Sequence, residues 1–65
     1  MRLETCGDPN ARRIEAGGDL IGFAVKLSNG RWGAYDTRER PLTKRTFANP
    51  KTVLRWFKDM NPDAT

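Results

Sequence analysis

The chain has 65 residues, with no histidine and one cysteine, Cys6. A domain of this size buries only about 60% of the surface that its unfolded chain exposes, so a deep catalytic cleft is difficult to build. Without imidazoles, and with a single thiol, the sequence offers no metal-ligand spacing, and it contains neither a P-loop nor a GxGxxG motif. We therefore expect a small non-enzymatic domain that binds no cofactor and no metal ion.

Basic residues are concentrated in the middle of the chain. The net charge is +4, divided into −1 over residues 1–20, +7 over residues 21–58 and −2 over residues 59–65. A cationic segment favours nucleic acid, an anionic membrane or an acidic protein as partner.

The sequence also predicts a compartment. No run approaches the roughly 20 apolar residues of a membrane span, and the start MRLETCGDPNARR lacks the apolar segment of a secretory signal. A lone cysteine forms no internal disulfide, so an oxidising compartment is not required. We expect a cytoplasmic protein.

Residues 1–20 are compatible with two structures. Asp8-Pro9 followed by Gly17-Gly18 has the cap, the first-position proline and the terminal glycine of a short helix, with Ala11 and Ile14 spaced three apart. A helix of about eight residues is marginal without packing, so a loose arm is the alternative.

Residues 21–36 predict a β-hairpin. Large apolar residues alternate with small or polar ones from Ile21 to Leu27, and Asn29-Gly30 is a strong turn signal. A loop of two or four residues sets Leu27 opposite Trp32, whereas a three-residue loop with a bulge would instead turn Trp32 outward. In the first register the core-facing residues are Ile21, Phe23, Val25, Leu27, Trp32 and Ala34.

The remaining residues predict one strand and one helix. Residues 42–47 predict a third strand. Asn49-Pro50 predicts the cap and first residue of an amphipathic helix, which should end near Met60, before Asn61-Pro62. The apolar arc of the helix should cover the inner face of the sheet. That arc comprises Val53, Leu54, Trp56, Phe57 and Met60, and the opposite, solvated side includes Lys51, Arg55 and Lys58.

The outer face of this predicted sheet is bare and cationic. Gly22, Ala24 and Gly33 carry almost no side chain, so another backbone could approach closely there. Basic side chains neutralise phosphates or donate to guanine, and tyrosine adds a hydroxyl group and a stacking surface. The principal contacts expected are Lys26, Arg31, Tyr35 and Lys44, with Arg45 as a secondary contact and Arg38 and Arg40 reaching phosphates from a turn.

The segment NGRWGAYDTRERPLTKRTFANPKTVLRWFKDM resembles AP2-like and integrase amino-terminal DNA-binding domains. The matching features are Gly30-Arg31-Trp32, the turn aspartate Asp36, the basic Lys44-Arg45 ahead of Phe47, and the helix from Pro50 to Met60. The resemblance implies a three-stranded sheet that lies in the DNA major groove, with the helix packed behind it.

The sequence thus predicts an α+β domain, with a three-stranded antiparallel sheet packed on a C-terminal helix. Residues 1–20 form the arm or short helix, 21–61 the sheet and helix, and 62–65 a tail. The predicted function is duplex DNA binding through the outer sheet face, as an accessory or regulatory domain of a phage or mobile element. The alternative is a non-enzymatic protein-interaction module that binds an acidic partner or pairs through a strand edge.

Overall fold

The computed structural model describes residues 1–60 as a four-stranded antiparallel sheet with one helix packed on one of its faces. The strands follow one another in chain order across the sheet. The α+β class and the covering C-terminal helix are confirmed, but the predicted number of three strands is wrong. The elements are β1 (Arg2–Thr5), β2 (Ala11–Ala16), β3 (Asp19–Lys26), β4 (Trp32–Tyr35) and α1 (Pro50–Met60).

The first twenty residues form a β-hairpin that continues into β3, not a helix or a loose arm. Gly17 and Gly18 have φ angles of 59° and 87°, which are the positive values that a tight two-residue hairpin turn requires. They join Ala16 to Asp19, and β2 then pairs with β3 along its whole length. Pairing with the neighbouring strands has overridden a local helix signal, and residues 1–20 belong to the same sheet as the rest.

The turn between β3 and β4 contains three residues. Leu27 accepts a backbone hydrogen bond from Gly30 at 3.0 Å and donates one to Arg31 at 2.6 Å, and Gly30 has a φ angle of 83°. This is a turn closed by a left-handed glycine, the second common hairpin type. It sets Lys26, not Leu27, opposite Trp32.

That register decides which face of β3 meets the helix, and the predicted face is wrong. Gly22 and Ala24 lie under α1, whereas Phe23 and Val25 lie on the uncovered face and stay partly exposed. A Cβ on Gly22 would be 2.6 Å from the Phe57 ring, so the missing side chain lets the helix approach the sheet. Trp32 and Ala34 face the helix, as the register with Leu27 opposite Trp32 predicts, so the three-residue turn has changed the face of β3 and has not turned Trp32 outward.

The core therefore combines small residues of β3 and β4 with bulky residues, of which one, Trp32, also belongs to β4. Phe57 is 3% exposed, and the ring of Trp56 packs edge-on against it. Met60 is 63% exposed, so the predicted apolar arc ends one turn earlier. The buried hydrophobic residues are Ile14, Ala24, Trp32, Ala34, Phe47, Val53 and Phe57.

The helix begins as predicted. The Asn49 side-chain oxygen accepts hydrogen bonds from the Thr52 backbone N–H and from its hydroxyl group, both at 2.9 Å. This satisfies one of the free N–H groups at the helix start. The predicted stop at Asn61-Pro62 and the predicted tail 62–65 lie outside the described residues.

The segment predicted as a third strand lies along β4 but touches it only near its ends. Tyr35 pairs with Pro41 and Trp32 pairs with Phe47. These contacts are three positions apart on β4 and six apart on the segment, so the residues between Leu42 and Phe47 bulge away from the sheet. A continuous ladder is impossible with that mismatch.

Candidate nucleic-acid interface

The β4 side of the sheet gathers five basic residues, which we call the cationic edge. The chain turns after Tyr35 and returns along β4 through Pro41 to Phe47, so all basic residues of this segment come to one side of the molecule. Residues 31–47 carry a net charge of +3. The cationic edge consists of Arg31, Arg38, Arg40, Lys44 and Arg45.

Arg31 ties the bulged segment to the start of β4. Its Nε donates to the Thr46 hydroxyl at 2.6 Å, and its Nη2 donates to the Thr46 carbonyl oxygen at 3.1 Å. The Arg45 guanidinium lies 5.7 Å from the centre of the Phe47 ring. Both cations remain exposed while part of each side chain is held in place, which reduces the rotamer entropy lost on binding an anion.

The turn that carries Arg38 and Arg40 is organised by Asp36. One carboxylate oxygen accepts the backbone N–H groups of both arginines at 2.9 Å, and the other accepts Nε of Arg40 at 3.2 Å. These interactions, the Arg40 backbone hydrogen bond first among them, hold the pKa of Asp36 below its ordinary value. Arg40 is thus partly neutralised, whereas the Arg38 side chain has no polar partner within residues 1–60.

Lys26 lies on the helix-covered side of the sheet, whereas the sequence predicts it on the outer face. It ends β3, pairs with Trp32, and is exposed at the margin of the helix-covered face. Arg12, which sequence reasoning did not single out, lies 5.7 Å from the centre of the Trp32 ring and donates to the carbonyl oxygens of Pro9 and Ala11. Those contacts hold the β1–β2 loop, so we assign Arg12 a structural role.

The predicted bare floor is not present on the outer face of the sheet. Gly22 and Ala24 are buried beneath α1, where no backbone or base could reach them. Gly33 does lie on the uncovered face, but the Tyr35 ring covers it, with Cε1 2.9 Å from the position of a Cβ. Of the three residues predicted for close approach, only Gly33 therefore stays on the outer face.

The uncovered face, which we call the open face, has two chemically different halves. On β1 and β2, Arg2 pairs with Glu4, and Arg13 pairs with Glu15 at 3.1 Å, so their formal charges cancel. The β3 and β4 half is apolar and partly exposed, and it borders the cationic edge. It presents Phe23, Val25, Leu27 and Tyr35 around Gly33.

Other candidate sites in the described residues are less developed. A shallow depression lies between Thr5 and Arg12, but the Arg12 guanidinium there is already committed to backbone carbonyl groups. Within residues 1–60, no three His, Cys, Asp or Glu side chains come close enough to share a metal ion. The one helix in this part of the chain is too short and too polar to cross a bilayer.

Comparison with known proteins adds no family to this picture. No family model matches the sequence, and neither the curated proteins nor the solved structures contain a match. The resemblance to AP2-like and integrase amino-terminal domains stays a prediction.

Proposed function

We propose that this domain binds nucleic acid through the cationic edge. The observation that carries the proposal is the return of residues 40–47 along β4, which lines up Arg31, Lys44 and Arg45 beside the turn arginines. A row of cations along one sheet edge fits the regularly spaced phosphates of a polynucleotide, and each contact releases bound counterions.

A comparison with the basic residues of α1 supports the cationic edge as the binding surface. Lys51, Arg55 and Lys58 are exposed on α1, but they share that helix surface with Asp59 and lie behind the sheet. Residues 31–47, which carry the cationic edge, also contain two acids but keep a net charge of +3. Phosphate groups would therefore meet a net attraction at this edge.

A pair of matched double variants tests the proposal. Arg38→Gln with Lys44→Gln removes two cations from the edge, and Arg55→Gln with Lys58→Gln removes the same charge from the helix. We expect the edge variant to weaken binding to a fluorescent oligonucleotide and to reduce the salt slope by roughly 0.7–0.9 for each phosphate that is no longer neutralised. The helix variant should behave as wild type, and equally weakened binding by the two variants would show that only net charge matters.

The unpaired side of β1 favours a second candidate function, strand addition to another protein. In the sheet formed by residues 1–60, β1 ends the order and has a neighbour on one side only. Exposed strand edges pair readily with extended segments. Concentration-dependent dimers in light scattering, together with no DNA binding at low salt, would favour this candidate over the first.

A further inference from the structure

We propose that the open face is a stacking platform for unpaired bases, and that the polynucleotide this domain binds is single-stranded. The inference rests on the proposed nucleic-acid function and names its ligand class. It assigns new roles to Phe23, which the sequence places in the core, and to Gly33.

The platform consists of two aromatic residues in directly paired positions. Phe23 of β3 and Tyr35 of β4 are Cα partners, so their side chains leave the same face of the sheet about 5 Å apart at Cβ. Both are partly exposed, and within residues 1–60 no helix or strand covers them. Phe23 lies outside the buried core cluster, so its ring is not needed to fill the space under α1.

Gly33 sets the position of the tyrosine ring. A Cβ at residue 33 would lie 2.9 Å from Tyr35 Cε1 and 3.5 Å from a methyl group of Leu27. The ring therefore reaches over Gly33 towards Leu27 and extends the apolar surface along β4. Gly33 contributes by leaving room for an aromatic side chain, in contrast to the close backbone approach expected from the sequence.

The cationic edge would hold the phosphates of the bound strand beside this aromatic pair. Tyr35 pairs directly with Pro41 at the edge, so Phe23 and Tyr35 lie in the half of the open face that borders Arg38 and Lys44. The opposite half carries as many acids as bases. A strand whose backbone follows the cationic edge can thus turn its bases inward over β4, onto the two rings.

The partly exposed aromatic rings of the open face favour a single-stranded ligand over a duplex. In a duplex the flat faces of the bases are already stacked on each other, whereas unpaired bases stack readily on exposed aromatic rings beside a cationic groove. The sequence predicts duplex binding by a flat, bare sheet face in the major groove, but Gly22 and Ala24, which would form part of that bare face, are buried under the helix. Major-groove binding by the sheet needs a close approach of the protein backbone to the DNA, whereas the open face presents two aromatic rings.

The first test compares ring variants of the full chain. Labelled oligothymidylate of about 12 nucleotides, single-stranded or annealed to oligoadenylate, would be titrated by fluorescence anisotropy. We expect tighter binding to the single strand, and a decrease in affinity of about 5- to 150-fold for Phe23→Leu or Tyr35→Leu, without a change in salt slope. Tyr35→Phe keeps the ring and should bind as wild type, and Val25→Ala is the non-aromatic control on the same face.

A second test uses the wild-type protein, so that it does not depend on the folding of any variant. An oligothymidylate with one 5-iodouracil would be photo-crosslinked and the adduct mapped by mass spectrometry. We expect the crosslink on Phe23 or Tyr35. Crosslinks confined to α1, or to the cationic edge without either ring, would overturn the stacking platform.

The outcomes separate the two proposals. If the Arg38→Gln/Lys44→Gln variant weakens binding but the ring variants do not, the platform is refuted and the cationic edge stands. Equal or tighter binding to the duplex, unaffected by Tyr35→Leu, would refute single-strand recognition and favour duplex DNA. Failure to bind either oligonucleotide at low salt would refute both proposals, and the open face would then fit a protein partner.

Discussion

Gly22→Ala tests which face of β3 meets the helix. A Cβ at residue 22 would lie 2.6 Å from Phe57 Cζ and 2.6 Å from the Tyr35 backbone oxygen. The phenyl ring could shift, but the oxygen belongs to the neighbouring strand and moves only if the sheet distorts. The substitution therefore introduces a clash at the centre of the domain.

The expected cost follows from two opposing terms. Overpacking a well-packed core costs about 1–3 kcal/mol, and a backbone clash places this substitution near the upper value. Replacing glycine with alanine offsets about 0.5–1 kcal/mol, because the unfolded chain loses less entropy on folding. The net destabilisation of about 2 kcal/mol is roughly half the stability of a domain this small, and it corresponds to a fall in Tm of about 8–16 °C.

Urea denaturation followed by tryptophan fluorescence measures this destabilisation, and Gly33→Ala is the matched control. The closest atom to a Cβ there belongs to the Tyr35 side chain, which can rotate away, so we expect a change of less than about 1 kcal/mol. If both glycines lay on one outer face, as the sequence predicts, the two substitutions would have similar effects. Equal midpoints for Gly22→Ala and Gly33→Ala would therefore refute the observed packing.

Four further predictions concern the core and the Asp36 turn. Phe57→Ala should cost about 3–5 kcal/mol and abolish the cooperative melt, because the ring is 3% exposed. In a Trp56→Phe variant the emission of Trp32 should be blue-shifted and resist acrylamide quenching. Glu39 has a φ angle of 62°, so Glu39→Gly should raise the unfolding free energy by up to about 1 kcal/mol, read from the urea midpoint. Because the pKa of Asp36 is lowered in the folded state, its contribution is present above the unfolded pKa of about 4 and lost as pH falls through the folded value. Asp36→Asn should thus flatten the stability profile below about pH 4, and an unchanged acid-induced destabilisation would contradict this.

The candidate site could be predicted only in part from the sequence. Its basic residues stand out by composition, but their placement on one side depends on residues 41–47, which run back along β4 without forming a regular strand. Phe23 was not recognised as a surface residue, because a large apolar side chain in an alternating run is usually buried. One sequence feature favours the observed face: the small residues of β3 complement the bulky apolar residues of the helix, so they could pack against each other.

The features that depend on neighbours along the chain could be predicted from the sequence alone. The Asn49 cap and the apolar spacing of Pro50–Met60 specify the helix, since hydrogen bonds and side-chain contacts within one helix span only a few residues. The turn at Asn29-Gly30 is local in the same way. These features appear in the structure at the predicted residues.

The features that depend on pairing and packing partners were set by the tertiary structure and could not be predicted in this way. Ala11–Ala16 became a strand because β1 and β3 pair with it on both sides, with one register shift after Ile14, and this pairing outweighs the helix propensity of so short a segment. Two features set which face of β3 is buried. The turn before β4 has three residues instead of two or four, and α1 supplies bulky side chains that pack against the small residues of β3. Phe57 already fills the space above Gly22, so Phe23 is left on the open face. A strand with apolar residues on both faces does not specify which face is buried until its partner is known.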